Sequence, residues 1–201
     1  MKFMSINSRL YRLATGCFDG VLIGLLTILT SILTLGIGIG GAFSAACYTI
    51  DNSIIQDNGY IIKTFIKSFK SDFKNSLIWI PLGLLNLALS YSLLFMYINN
   101  LGYIIYLALF IGFELLMTTI ILFTLRGLMD FNSSKDYIIN AIRLTNGHLI
   151  KTLLLFVCFL ISVLTIYLLP PSMVIIIPLF TLFTVWLIKY KIITSYRLKK
   201  S

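Results

Sequence analysis

The chain has 201 residues, of which 59% are hydrophobic and only 11% are charged. Soluble globular domains carry about 25% charged residues, so this composition excludes an ordinary soluble fold. There are 16 Lys and Arg residues against 7 Asp and Glu, a balance that in a soluble protein indicates nucleic-acid binding. Here the basic residues flank apolar runs, as orientation in a membrane requires, and we expect no nucleic-acid partner. The composition predicts a single membrane domain over residues 1–201.

The first apolar stretch runs from Gly20 to Ile50 without a charged residue, and glycines interrupt it at 36–41. One straight helix of that length would extend about 46 Å, whereas the hydrocarbon core is about 30 Å thick. Glycine is also a poor interior residue for a long helix. We therefore predict a hairpin with a first arm over about 17–35 and a second arm from about Gly41. The stretch is too long for the apolar part of a signal peptide.

The distribution of positive charge tests this hairpin. The Lys and Arg residues fall in 1–19, 51–76, 126–151 and 189–201. Basic residues of short loops stay on the cytoplasmic side. With the hairpin, every basic group lies on one side. With a single opening span, the basic groups divide between the two sides and the N-terminus lies outside. The rule favours the hairpin, with both termini cytoplasmic in a plasma membrane, and leaves five spans as the alternative.

Four further apolar runs follow the opening stretch: 77–98, 104–125, 152–169 and 172–188. Pro170 and Pro171 separate the last two runs and cannot continue a helix, so they mark an outer turn. The sequence therefore predicts an all-α polytopic membrane helix bundle. It has six membrane segments and short amphipathic helices on the inner face.

Residues 60–75 form the most informative polar segment, because their pattern predicts a basic amphipathic helix. Four basic residues share one face of that helix: Lys63, Lys67, Lys70 and Lys74. Phe65 and Phe69 lie on the opposite face, and Asp72 also lies there, which the pattern does not explain. We predict that the lysine face contacts anionic lipid or a partner protein. The alternative is a helix that only links spans and packs on them.

A weak parallel repeat relates residues 20–98 to residues 104–170. Tyr60-Ile61-Ile62 recurs as Tyr137-Ile138-Ile139, and Lys74 matches Lys151. Parallel repeats of this kind occur in transporters, where the substrate site lies between the halves. The match is short, so chance similarity is the alternative.

Glu114 is the only charged residue deep within a predicted span. A charge near the bilayer centre is costly, so we expect its side chain to face the bundle interior. It is either a proton or cation relay, or a neutral packing residue that bonds Thr118 one turn on. His148 has no suitably spaced ligand companion, and the chain carries no GxSxG, HExxH or Walker motif. We predict no metal, no cofactor and no enzymatic activity.

Three features together resemble the YesL family of uncharacterised bacterial membrane proteins. They are the glycine-broken opening, the segment 65–74 before a span, and the segments 140–144 and 148–154. The similarity covers most of the chain, although the family often has proline in the opening break, where this chain has glycine. The resemblance implies a bacterial plasma-membrane protein, sometimes encoded near carbohydrate-uptake systems, with no established activity.

These observations lead to two functional hypotheses. The first is an accessory or regulatory membrane component that docks through its basic inner face on a partner such as a sugar transporter. The second is a small transporter or channel subunit that uses Glu114 as an intramembrane carboxylate. The sequence predicts contact with the lipid bilayer but leaves the oligomeric state open.

Overall fold

The computed structural model describes residues 9–56, 60–77, 79–99, 102–131 and 133–189, of which most are helical and none lies in a strand. The α-helices, in chain order, are α1 (Arg9–Leu33), α2 (Ile39–Thr49), α3 (Ile61–Ser76), α4 (Trp79–Ile98), α5 (Gly102–Leu128), α6 (Ser134–Gly147), α7 (Leu149–Leu168) and α8 (Met173–Trp186). A π-helical segment, Ile50–Ile55, continues α2, and a 3₁₀ turn, Pro170–Ser172, precedes α8. The predicted all-α fold class is confirmed for the described residues. The termini that carry part of the predicted cytoplasmic charge, 1–8 and 190–201, lie outside them.

Several helices are compatible with a membrane protein. Within the described ranges, four stretches are long and apolar enough to cross a bilayer: Thr15–Leu33, Ile105–Leu128, Leu149–Leu168 and Pro170–Lys189. The apolar stretch in α4, Ile80–Leu93, is shorter. The helix α2 has 11 residues. It is therefore about 17 Å long, or about 26 Å at most with its π-helical continuation to Ile55, against about 30 Å for the hydrocarbon core. The structure thus gives four candidate spans where the sequence predicts six membrane segments.

The predicted break in the opening stretch is present between α1 and α2, and these two helices pack against each other. The chain reverses through Leu35 and Gly36, whose φ angles are 51° and 82°. The Gly36 amide donates to Ser31 O at 2.8 Å and the Leu35 amide to Ile32 O at 2.9 Å, which is the hydrogen-bond pattern of a Schellman C-cap. Each amide from Thr34 to Ile39 has an acceptor. Such a turn leaves none of these backbone N–H groups without an acceptor, as an apolar environment requires.

The helix α2 is central, because it packs against α1, α3, α5 and α8. Its buried residues are small: Gly40, Gly41, Ala42, Ser44, Ala45, Ala46, Cys47 and Thr49. Small residues let neighbouring helix backbones approach closely. One such close approach is at Gly127 of α5, where an added Cβ would lie 2.4 Å from Ser44 O. The second half of the glycine-interrupted opening stretch therefore forms the centre of the bundle.

The contact between α1 and α8 depends on a glycine and a proline. Pro178 lies inside α8 and has no N–H to donate to the Val174 carbonyl, four residues earlier. Gly24 of α1 approaches that same carbonyl, and an added Cβ would lie 2.1 Å from Val174 O. Only glycine permits this approach without a shift of α1 or α8.

Two apolar clusters form the core. One lies between α5, α6, α7 and the end of α8, and includes Met117, Ile121, Ala141 and Leu155. The other joins α1, α2 and α3, and consists of Ile23, Ala45, Ala46, Ile50 and Phe65. The helices α3 and α6 therefore serve as packing elements, each held against the helix that precedes it in the chain. The single-domain and parallel-repeat assignments remain predictions.

Candidate functional site

The four predicted lysines, Lys63, Lys67, Lys70 and Lys74, are all exposed along one side of α3. The other side of this helix is held by Phe65, which has no exposed surface and packs with Ala46 and Ile50 of the opening hairpin. Phe69 stacks near Phe65, with ring centroids 6.5 Å apart. The lysine face thus belongs to a helix whose aromatic side contacts protein.

Asp72, which the amphipathic pattern leaves unexplained, forms an ion pair with Arg126 at the end of α5. The carboxylate oxygen lies 3.4 Å from the guanidinium, and the two side chains are 19% and 3% exposed. Burial raises the pKa of the Asp72 carboxyl above its ordinary value of 3.8, and Ser44 and Arg126 act in the opposite direction. Asp72 faces the apolar side of α3 because its charged partner lies there.

Arg126 is also held by the start of α6. Its guanidinium lies 5.1 Å from the ring centroid of Tyr137 and 3.5 Å from Ser134 Oγ. The Tyr137 hydroxyl donates to Met129 O at 2.9 Å and accepts from the Phe131 amide at 3.1 Å. A cation over an aromatic face is attracted by the ring quadrupole. Tyr137 therefore fixes both the cation and the turn that follows α5.

A cavity of about 530 Å³ lies between α3, the end of α5 and the start of α6. The Asp72–Arg126 pair lines it, together with Lys67 and Asp130, which are both exposed. The sequence pattern alone does not predict this cavity. The available signals were Asp72, an acid on the wrong face of an amphipathic helix, and Arg126, a base at the end of an apolar run.

A second ion pair connects the end of α2 to the end of α8. Lys189 Nζ lies 2.6 Å from Asp51 Oδ1 and also contacts Oδ2. The Gln56 side chain donates to Asp51 Oδ2 at 3.1 Å. Ser44 of α2 lies beside Asp72. Asp51 comes seven residues after Ser44, in the π-helical segment that continues α2. The two ion pairs therefore lie at the same end of the bundle, about two helical turns apart.

Glu114 is half-buried at the thirteenth position of the 27 residues of α5. Its Oε1 atom is buried and has no hydrogen-bond partner among the residues that the structure describes. Thr118, the hydrogen-bond partner considered for Glu114, instead donates to Thr145 Oγ1 of α6 at 3.4 Å. Thr118 faces α6 because α6 packs along α5, with Ala141 and Thr145 buried in that contact.

The predicted site residues therefore lie in two separate places. Glu114 precedes Arg126 by twelve residues on α5, so about 18 Å of helix separates it from the cavity and the lysine face of α3. The structure joins the lysine face to the Asp72–Arg126 pair and leaves Glu114 apart from both.

Comparison with known protein families gives a match over part of the chain. The family described as "Protein of unknown function, DUF624" matches residues 20–93. The chain is similar to this uncharacterised family over that range, which runs from α1 into α4 and includes α2 and α3. No curated protein matches the chain, and no solved structure matches it.

Proposed function

We propose that this chain is an accessory or regulatory membrane component that docks on a partner membrane protein through the lysine face of α3. The observation that carries this proposal is the exposure of Lys63, Lys67, Lys70 and Lys74 on a helix whose opposite side is held by buried Phe65. A helix that merely rests on a bilayer buries its apolar face in lipid. Here Phe65 packs on protein, so the lysines have a fixed backbone and suit recognition of an acidic protein surface.

The proposed setting is a bacterial plasma membrane, with six membrane segments and both termini in the cytoplasm. The grouping of Lys and Arg residues supports this orientation. The short α2 is compatible with it, because the hairpin of α1 and α2 returns to its starting side whether or not its turn reaches the outer surface. In a background without native cysteines, labelling of Asn99→Cys but not of Ser8→Cys by a reagent added from outside supports this orientation. Labelling at both positions contradicts it.

The resemblance to the YesL family supports a partner connected with carbohydrate uptake, such as a sugar transporter. We assign the chain no enzymatic reaction and no nucleic-acid ligand. Docking by charge predicts a partner whose cytoplasmic face carries Asp and Glu residues, because like charges placed opposite each other would oppose association.

Paired charge removal tests the docking proposal. In the full-length protein, Lys63→Gln with Lys70→Gln should lower the yield of a stoichiometric membrane partner by about tenfold or more. The matched control removes two other exposed charges, Lys135→Gln with Arg143→Gln on α6. The control should leave the yield unchanged. Equal yields from wild type and the α3 variant would exclude the lysine face as the docking surface.

A second function, a small transporter or channel subunit, is favoured by one observation. Glu114 Oε1 is buried in the middle of α5 without a partner among the described residues. A buried polar atom without a hydrogen bond costs about 1–3 kcal/mol of stability. An ionisable residue that is kept within a membrane span at this cost often marks a transport pathway. In liposomes, Glu114→Gln should abolish proton or cation flux, whereas the α3 lysine variant should not. An absence of flux in wild type as well as in Glu114→Gln would remove this alternative.

A further inference from the structure

The cavity between α3, α5 and α6 has a balanced set of charges. Arg126 and Asp72 neutralise each other across 3.4 Å. Lys67 and Asp130 are exposed, have opposite charge and line the same cavity. Hydroxyl groups complete the polar lining, from Ser68, Ser71, Ser133 and Ser134. A ligand that matches these groups carries one anionic and one cationic centre.

The position of the cavity along α5 indicates the source of that ligand. The candidate span in α5 ends at Leu128, and the lining continues from Arg126 to Phe131. In the membrane arrangement proposed above, on which this step rests, the cavity lies where an apolar span meets the aqueous phase. Phospholipid headgroups occupy that depth in a bilayer.

We propose that this cavity binds a zwitterionic phospholipid headgroup that carries a phosphate and a primary ammonium, as in phosphatidylethanolamine. Lys67 and the hydroxyl of Ser68 supply donors to the phosphate oxygens. The Asp130 carboxylate accepts from the primary ammonium, which has three N–H donors.

The same groups explain selectivity against other headgroups. A choline headgroup carries a quaternary ammonium, which has no N–H to donate to Asp130. An anionic glycerol headgroup offers Asp130 neutral hydroxyls in place of a cation, so it lacks the charge-assisted hydrogen bond. The cavity therefore prefers the primary ammonium headgroup over both.

Native mass spectrometry of the full-length protein measures this preference. The protein is released from nanodiscs that contain equal amounts of phosphatidylethanolamine, phosphatidylcholine and phosphatidylglycerol. Wild type should retain phosphatidylethanolamine over each of the other two by about tenfold, the effect expected from one charge-assisted hydrogen bond. Asp130→Asn should remove that preference, and Asp136→Asn should keep it, because Asp136 lies outside the cavity lining.

A second pair of variants tests the phosphate end. Lys67→Gln should weaken retention of all three phospholipids alike, since they share the phosphate. Lys63→Gln, one turn earlier on the same helix, should not. Equal retention of the three lipids by wild type, or an unchanged preference in Asp130→Asn, would overturn the proposal.

Two further measurements separate this site from related possibilities. Soluble O-phosphoethanolamine that displaces the lipid assigns recognition to the headgroup alone, and failure to displace it assigns recognition to the lipid within a bilayer. Both results keep the proposed chemistry. The Lys63→Gln and Lys70→Gln variant tests partner docking with the cavity intact, so lipid selectivity and docking can fail independently.

Discussion

The Arg126 guanidinium lies 3.4 Å from the Asp72 carboxylate, although 54 positions separate the two residues in the chain. The pair connects α3 to the end of α5, and it is shielded from solvent at both side chains. Transfer of two charges out of water is expensive, and the attraction between them offsets that cost only when both are present. The position of α3 against the bundle therefore depends on keeping both charges or removing both.

Removal of one charge from this pair should destabilise the fold. Arg126→Met should lower the free energy of unfolding by about 3 kcal/mol, because the buried Asp72 carboxylate is left without its partner. Asp72→Asn should cost less, because burial already favours the neutral form of that acid. The double variant Asp72→Asn with Arg126→Met should recover most of that loss. Unfolding in mixed micelles, followed by circular dichroism, measures all four proteins.

The control for this cycle is Asp136→Asn, the same chemical change in the first turn of α6, where no ion pair holds the acid in the described structure. Its free energy of unfolding should stay within about 0.5 kcal/mol of wild type. A double variant as unstable as the sum of its single variants would show that the two charges do not interact.

The same residue predicts a dependence of stability on pH. Burial raises the pKa of Asp72 above 3.8, its ordinary value. An acid with a raised pKa in the folded state contributes most stability below its unfolded pKa and loses that contribution as pH rises through the folded pKa. Relative to Asp72→Asn, wild type should therefore lose stability as pH rises from below 3.8 through the raised pKa. Thermal unfolding in detergent across this range measures the difference, and a wild type that gains on the variant would contradict it.

Much of the helical framework follows from local patterns. The amphipathic segment predicted at 60–75 is α3, Ile61–Ser76. The break expected among the glycines falls between Leu33 and Ile39. Charge periodicity and glycine placement act over a few residues, so a single sequence carries them.

The contacts between distant segments could not be predicted in the same way. The sequence shows that Asp72 lies on the apolar face of its helix, but no nearby residue in the sequence indicates that Arg126 is its partner. The pairing of Thr118 with Thr145 depends on how α6 lies along α5. The cavity beside Arg126 exists only because α2, α3, α5 and α6 meet there. Such features arise from tertiary packing, which hydrophobic periodicity does not specify.

The glycine at the α1–α8 contact gives a prediction about packing. Gly24→Ala should lower the free energy of unfolding by about 1–3 kcal/mol, because the new methyl group would overlap Val174 O, 2.1 Å away. Gly16→Ala on the same helix is the control, since no atom of another described segment lies within 4 Å of its added Cβ. That control should be neutral or stabilising by up to about 1 kcal/mol, as expected for alanine in a helix. Equal effects at the two positions would show that α8 does not approach α1 as closely as described.

The last prediction concerns the turn between α1 and α2. Leu35 has a φ of 51°, a left-handed conformation that costs a residue with a Cβ about 1–2 kcal/mol. Its side chain is 90% exposed within the chain, so its removal sacrifices little packing against protein. Leu35→Gly should therefore raise the free energy of unfolding by about 1 kcal/mol.

The control is Ile37→Gly, in the same turn but without a positive φ. It should lower the free energy of unfolding by about 0.5–1 kcal/mol, because glycine adds freedom to the unfolded chain without relieving strain. Chemical unfolding of both variants in the same micelles compares them directly. If both substitutions destabilise the protein equally, Leu35 does not occupy the left-handed conformation that ends α1.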